Sequence, residues 1–291
     1  MHVRPAARVL RFLAPALAAA SLAACTADIT DPLPTAPARA PYAPSYYTYP
    51  SAIYRSHVEF GTPTDANSAD DVILSKRQYT VSHNCAKGRP NWVSWNLNKT
   101  HFGDAPRASS FTSDASLPSG CYRVVTGDYT NSGYDRGHQV RSEERTWDAT
   151  DNKSTFVMTN VVPQTHDMNA GPWLDFEYYL QSLAQSSNKE IYVISGPSGN
   201  KGTLNGAGKV QIPTYTWKIA VIMPYGQGLA NVTSTSSIQV IAVDMPNVTG
   251  IISRPWTDYK TTVDKLEGFT GYNFLAKLPD SIESYWEARV F

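Results

Sequence analysis

Asp135-Arg136-Gly137-His138, then Asn160-Val161-Val162-Pro163-Gln164, then the residues from Asn169 to Glu177 form the stretch on which the reading of this chain turns. Residues 134–140 read as a strand end and a turn. Residues 155–162 (TFVMTNVV) form a strongly β-prone run closed by Pro163. Residues 172–185 place Trp173, Phe176, Tyr179, Leu180 and Leu183 at helical spacing, with Pro172 suited to a first turn. One short strand–strand–helix span therefore carries an imidazole, a guanidinium, an amide oxygen and a carboxylate.

Around that span the chain alternates without regular βα order. Residues 78–82 and 91–97 alternate as strands do, with Trp92 or Trp95 and Leu97 turned toward a core. Short apolar runs at 54–60 and 72–74 open the domain, and residues 99–122, rich in Ser, Asp, Pro and Gly, read as a long surface loop. Residues 190–195, 215–223 and 238–244 read as three further strands, and 281–289 as a last helix. The expected class is α+β: a mixed or antiparallel sheet core with helices.

Hydrolysis of a phosphodiester needs an activated water, charge relief on the transition state and help for the departing oxygen. A histidine can take the proton from water, and His138 is the candidate; Gly137 is expected to let the backbone turn closely before it. Mg²⁺ prefers oxygen ligands and keeps several waters, so one neutral amide such as Asn169 is a chemically reasonable holder. Glu177, eight residues on, falls on roughly the same side of a helix. Each residue also has a plain structural reading: Asn169 as a helix cap, Glu177 and the Glu143-Glu144-Arg145 run as solvated helix positions, and Arg107 as a solvated loop cation.

Taken in order and spacing, these residues resemble the DNA/RNA non-specific endonuclease family, whose ββα-metal (His-Me finger) motif carries its active site. The resemblance extends through Trp92-Val93-Ser94-Trp95, Leu117-Pro118, Pro213 with Trp217-Lys218, and Thr262-Val263, Leu266-Glu267, Thr270-Gly271 and Phe274-Leu275. It implies that His138 is the general base, Arg136 a phosphate contact, Asn169 the metal ligand, and Glu177 a carboxylate that orders water near the ion without ligating it. By the same resemblance Arg107, ahead of Phe111 and Asp114, stabilises developing negative charge, and Asn160 fixes the loop around the metal. The implied cofactor is Mg²⁺, with Mn²⁺ as the substitute. The chain departs from the family in the charged run from Gln139 to Arg145.

The ends bear on location. Arg4, Arg8 and Arg11 precede an alanine-rich apolar stretch too short to span a bilayer comfortably. Its close, Leu22-Ala23-Ala24-Cys25, looks like a bacterial lipobox, so residues 1–24 read as a lipoprotein signal peptide and Cys25 as the lipidated residue. Prolines from Pro32 to Pro50 make residues 25–52 a tether, and residues 53–291 the enzyme domain. This chain is thus expected to be exported and held at a membrane, whether the outer membrane or the cell surface and periplasm. In an oxidising compartment Cys85 and Cys121 read as one disulfide, two separate buried thiols being the other reading.

Charge is balanced at 25 basic and 25 acidic residues; without residues 1–24 it becomes 22 against 25, a net −3. That argues against a tight non-catalytic nucleic-acid binder, and fits an enzyme that releases its product. No Cys-x-x-Cys or His-Glu-x-x-His supports zinc hydrolysis, and no Gly-x-Ser-x-Gly supports a serine hydrolase. The expected activity is Mg²⁺-dependent endonucleolytic cutting of DNA and RNA to 5′-phosphate ends. The rival from another class is a tethered binding lipoprotein that keeps the fold without the activity. The sequence defines no oligomeric state.

Overall fold

A computed structural model describes residues 53–291; the signal-like segment, Cys25 and the proline-rich stretch lie outside the described residues. The elements run β1 (Val72–Ser75), β2 (Thr80–Asn84), β3 (Arg89–Leu97), β4 (Asp135–His138), α1 (Ala149–Ser154), β5 (Val161–Gln164), α2 (His166–Asn169), α3 (Pro172–Ser186), β6 (Lys189–Ser198), β7 (Tyr215–Pro224), β8 (Gln239–Pro246), β9 (Lys260–Thr261), α4 (Val263–Thr270) and α5 (Asp280–Glu287). Seven strands form one sheet in the order β1-β2-β3-β6-β7-β8-β9, and β4 pairs with β5 in a separate two-stranded sheet. Every strand pairing is antiparallel. The class is α+β, as the irregular mixing of elements requires.

The large sheet is a meander interrupted once, between its neighbours β3 and β6. That excursion contains the long loop, β4, α1, β5, α2 and α3. Alternation along the central strands feeds both faces. Trp92, Ile194, Trp217, Ile219 and Val240 pack against Val263, Leu266 and Trp286 of α4 and α5. Trp95, Leu97, Val193, Ala220 and Ile241 pack against Trp173, Phe176 and Leu180 of α3. Trp92 and Trp95 therefore serve opposite cores, where the alternation of residues 91–97 pointed to one. Both faces are covered, so all nine residues of β3 are buried. Each large apolar side chain buried in this way contributes about 1.5–3 kcal/mol.

One stretch departs from its reading. Residues 155–162 are not one strand: α1 ends at Ser154, Met158–Asn160 is a 3₁₀ turn, and the strand starts at Val161 and continues through Pro163. The Asn160 side chain supplies the reason, since it offers the chain an alternative to ladder bonding: its Nδ2 donates to the carbonyls of Thr155 and Val140, each at 2.9 Å. Pro163 is tolerated because a two-stranded sheet leaves β5 an edge. Cys85 and Cys121 are joined by a disulfide with Cα atoms 4.9 Å apart, which ties the β2–β3 turn to the long loop. Among the described residues no helix is long and apolar enough to cross a membrane.

Candidate active site

His138 closes β4, and its register against β5 is fixed by the pairs Asp135 with Gln164 and His138 with Val161. Gly137 lies within the strand, not in a turn as its sequence position suggested. A Cβ there would stand 1.9 Å from Oε1 of Gln164 and 2.4 Å from its Cδ. The glycine is required because the buried Gln164 side chain occupies its place. Directly after His138, Asn160 clamps the chain: its Oδ1 accepts from the Val140 amide at 2.9 Å, and its carbonyl accepts from the Gln139 amide at 2.9 Å. Asn160 is fully buried and has no free oxygen directed at a ligand.

The His138 ring packs in a triangle with two phenylalanines, 4.8 Å from the Phe156 centroid and 5.1 Å from that of Phe111, which are themselves 4.9 Å apart. The long loop delivers Phe111 by pairing Thr112 with the 156–158 segment, through Thr112 N to Phe156 O and Met158 N to Thr112 O, each at 2.9 Å. Asp114 secures the same loop by accepting from Thr159 at 2.6 Å and from Lys76 at 2.8 Å. Each phenylalanine carries an arginine: Arg107 lies 4.9 Å from the Phe156 ring and Arg136 5.2 Å from the Phe111 ring. Arg107 also donates to the Ser142 hydroxyl. Buried Asn152 holds both partners of that contact, accepting from the Ala108 amide at 2.8 Å and donating to the Ser142 carbonyl at 2.9 Å.

Burial, aided by the charges of Arg107 and Arg141, pushes the His138 imidazole down to about 3. The ring is neutral, with Nε2 sealed from solvent and without a partner. With Nε2 shut off from solvent, Nδ1 is the nitrogen left to accept a proton.

Asn169 ends α2, and Gly171, not Asn169, stands at the cap of α3. The Asn169 Nδ2 donates to Oδ2 of Asp135 at 3.0 Å, and the same oxygen contacts Nδ1 of His166 at 2.9 Å. With its amide nitrogen held, Asn169 turns Oδ1 the other way, and among the described residues no donor reaches that oxygen. A hard neutral oxygen left open beside a carboxylate suits Mg²⁺. The donor set therefore fits the expected ion.

Glu177 is placed otherwise than a solvated helix position. It is buried, with Oε1 3.1 Å from Nζ of Lys218 and Oε2 3.7 Å from Nε of Arg141. Among the described residues no hydrogen bond joins it to Asn169 or to His138. Lys218 is fully buried and rests 4.0 Å from the Trp173 ring. Nor are Glu144 and Arg145 a solvated helix start, since both are fully buried. The Trp95 indole donates to Glu144 Oε2 at 2.7 Å, and Arg145 donates to the carbonyls of Gln78 and Asn96. Burial lifts the Glu144 carboxyl to about 7, with Lys218 opposing and Glu177 adding to the rise. Sequence reasoning gave no role to Phe156 or His166, and named Lys218 only as part of the family resemblance. A lysine inside the apolar run 215–223 was the further signal for the last.

The chain matches the model of the DNA/RNA non-specific endonuclease family over residues 57–281. It is 41% identical over 239 residues to a nuclease of Nostoc sp., covering 80% of this chain and 85% of that protein. It is 27% identical over 233 residues to the mitochondrial nuclease EXOG of Xenopus laevis, covering 76% of this chain and 62% of EXOG. The solved structure of EndoG in complex with EndoGI shares the fold, with TM-score 0.64 and 22% identity over 78% of this chain and 92% of that one. The match spans both faces of the large sheet and the excursion that carries His138 and Asn169: this chain belongs to the DNA/RNA non-specific endonuclease family and is a nuclease, a hydrolase of phosphodiester bonds.

Proposed function

We propose that the protein is an exported, lipid-anchored endonuclease that uses Mg²⁺ to cut DNA and RNA with little sequence preference, leaving 5′-phosphate and 3′-hydroxyl ends. The observation that carries this reading is the Asp135–Asn169 contact, made from the strand that His138 closes, which leaves the Asn169 amide oxygen open. Asn169 would hold the ion. When bound, Mg²⁺ supplies charge neutralisation at the phosphate and at the departing oxygen.

His138 accepts the proton of the attacking water at Nδ1 as the water oxygen bonds to phosphorus and the bond to the 3′-oxygen breaks. Phe111 and Phe156 keep the ring from rotating. Arg107 and Arg136 each keep one planar face against a phenylalanine while their remaining N–H groups are available to phosphate oxygens. Asn160 acts through the backbone, holding the turn that follows His138. Glu177, fixed by Lys218 and Arg141, braces the helix that follows the Asn169 segment and orients solvent near it. Cys25 supplies the membrane attachment, and the proline-rich segment the reach.

The test is digestion of plasmid DNA and of RNA by the purified protein, in Mg²⁺ and in EDTA, with end-labelling of the products. Cutting of both substrates, abolished by EDTA and giving ends that a 5′-phosphatase must treat before kinase labelling, is expected. No cutting of either substrate would reject the enzyme reading and leave a tethered lipoprotein with a nuclease fold. For the anchor, Cys25→Ser should move the protein from the membrane fraction to the soluble fraction.

A further inference from the structure

On the face of the large sheet opposite α3, the two C-terminal helices meet through carboxylates. Asp264 and Glu267, three residues apart on α4, share one side of that helix, and Glu287 ends α5. One oxygen from each lies within 4.8 Å of the other two. Glu283, one turn before Glu287, adds its charge to the group. Among the described residues no lysine or arginine pairs with any of the four.

Exposed acidic groups need nothing but water. Glu287 is a separate matter, because it is only 5% exposed and its Oε1 is shut off from solvent with no donor in reach. A buried carboxylate facing two others must either keep a proton or neutralise its charge against a cation. Burial, with the charges of Glu267, Glu283 and Asp264, lifts its carboxyl to about 8. Burial likewise raises Glu267, with the Phe274 amide opposing and Asp264 adding to the rise.

The spacing admits a single cation. Oxygens bound at about 2.4 Å to opposite sides of a Ca²⁺ ion stand about 4.8 Å apart, which is the limit within which these three oxygens fall. Two of the carboxylates are on the longer glutamate side chain, and one Glu267 oxygen already accepts from the Phe274 amide at 2.8 Å. Such an irregular set suits Ca²⁺ better than the strict octahedron of Mg²⁺. We propose that Asp264, Glu267 and Glu287 form a Ca²⁺ site that staples α5 to α4. The site is separate from the catalytic centre and does not rest on the nuclease mechanism.

Thermal unfolding of the full chain in saturating Mg²⁺, with and without millimolar Ca²⁺, tests it. Wild type and Asn169→Ala should both gain roughly 3–8 °C in Ca²⁺. Glu287→Gln should lose the gain. Asp264→Asn, an exposed position that leaves the core intact, should raise the Ca²⁺ midpoint at least ~10-fold, and it decides the matter if Glu287→Gln does not fold. As a direct readout, Tb³⁺ emission sensitised through the neighbouring Trp286 should appear in wild type and fall in Asp264→Asn. Two results overturn the proposal. One is the absence of any Ca²⁺ response in wild type, in melting and in Tb³⁺ emission alike. The other is a response that disappears in Asn169→Ala, which would put the ion in the active site.

Discussion

Nδ2 of Asn169 donates to Oδ2 of Asp135 at 3.0 Å, and this contact sets which atom of the asparagine faces outward. An amide whose nitrogen is held must present its oxygen. Asp135 opens the strand that His138 closes, so one carboxylate ties the candidate metal ligand to the candidate base through four residues of backbone.

Asp135→Ala should therefore weaken the metal without unfolding the protein. Groups that orient a metal ligand are typically worth 10–100-fold in affinity, so the Mg²⁺ concentration for half-maximal cutting should rise by about that factor. Activity titrated against Mg²⁺, beside a urea melt, checks this. An unchanged midpoint would show that Asn169 is oriented by something else.

Lys218 and Glu177 form a buried pair, with side chains 0% and 6% exposed. Lys218→Met leaves Glu177 with Arg141 alone, at 3.7 Å, and should destabilise by about 3–5 kcal/mol. Adding Glu177→Gln removes the stranded charge and should recover a large part of that loss. Urea denaturation of the two single variants and the double variant measures the coupling. Strict additivity would mean that the pair does not interact.

Burial pushes His83 down to about 4, with Asp114 opposing, and neither ring nitrogen has a partner. A histidine whose folded pKa lies below its unfolded value of about 6.5 takes up its proton on unfolding. Stability is then intact above pH 6.5 and declines as pH falls toward 4. Glu144, lifted to about 7, has the opposite sign: its cost grows as pH rises from its ordinary range through 7. The whole protein sums both, so the clean test is a difference. His83→Phe should gain about 2 kcal/mol relative to wild type on going from about pH 7.5 to about pH 5. A gain independent of pH would mean that the fold leaves the His83 pKa where it stands in the unfolded chain.

The Cys85–Cys121 disulfide closes a loop of 36 residues. In the chain-entropy account a loop of that size is worth about 4 kcal/mol. Replacing both cysteines with alanine should lower stability by that order and loosen the segment that leads to Arg107 and Phe111. Hydrogen exchange concentrated in residues 99–125 of the variant would show it, and uniform exchange across the chain would contradict it.

Much of this was legible in the sequence, for reasons that differ by residue. The helix 172–185 was read to within a residue because Pro172 and the Trp173–Phe176–Leu180 spacing agree with the face that α3 buries. The chemistry of His138 and Asn169 came from their joint resemblance to a family, not from either residue alone. Glu144 and Arg145 were read as solvated because charged runs mostly are, whereas the Trp95 indole and the carbonyls of Gln78 and Asn96 receive them in the core. Those partners lie 49 and 67 positions away, beyond the reach of local pattern. The same limit hid the cradle of Phe111 and Phe156, which depends on one bridge between Thr112 and Val157. Gly137 was assigned to a turn because glycine most often serves turns. Its true constraint, the side chain of Gln164, appears only once β4 and β5 are paired.

The account rests most heavily on His138 as the group that takes the proton from water. Single-turnover cutting of one labelled duplex by wild type and by His138→Ala, at saturating Mg²⁺ and with matched urea melts, tests this directly. The account predicts a loss of at least ~10³-fold in rate, in the range for removal of a general base, with stability and the Mg²⁺ midpoint little changed. Cutting that survives in His138→Ala at near wild-type rate would contradict it and place the base elsewhere.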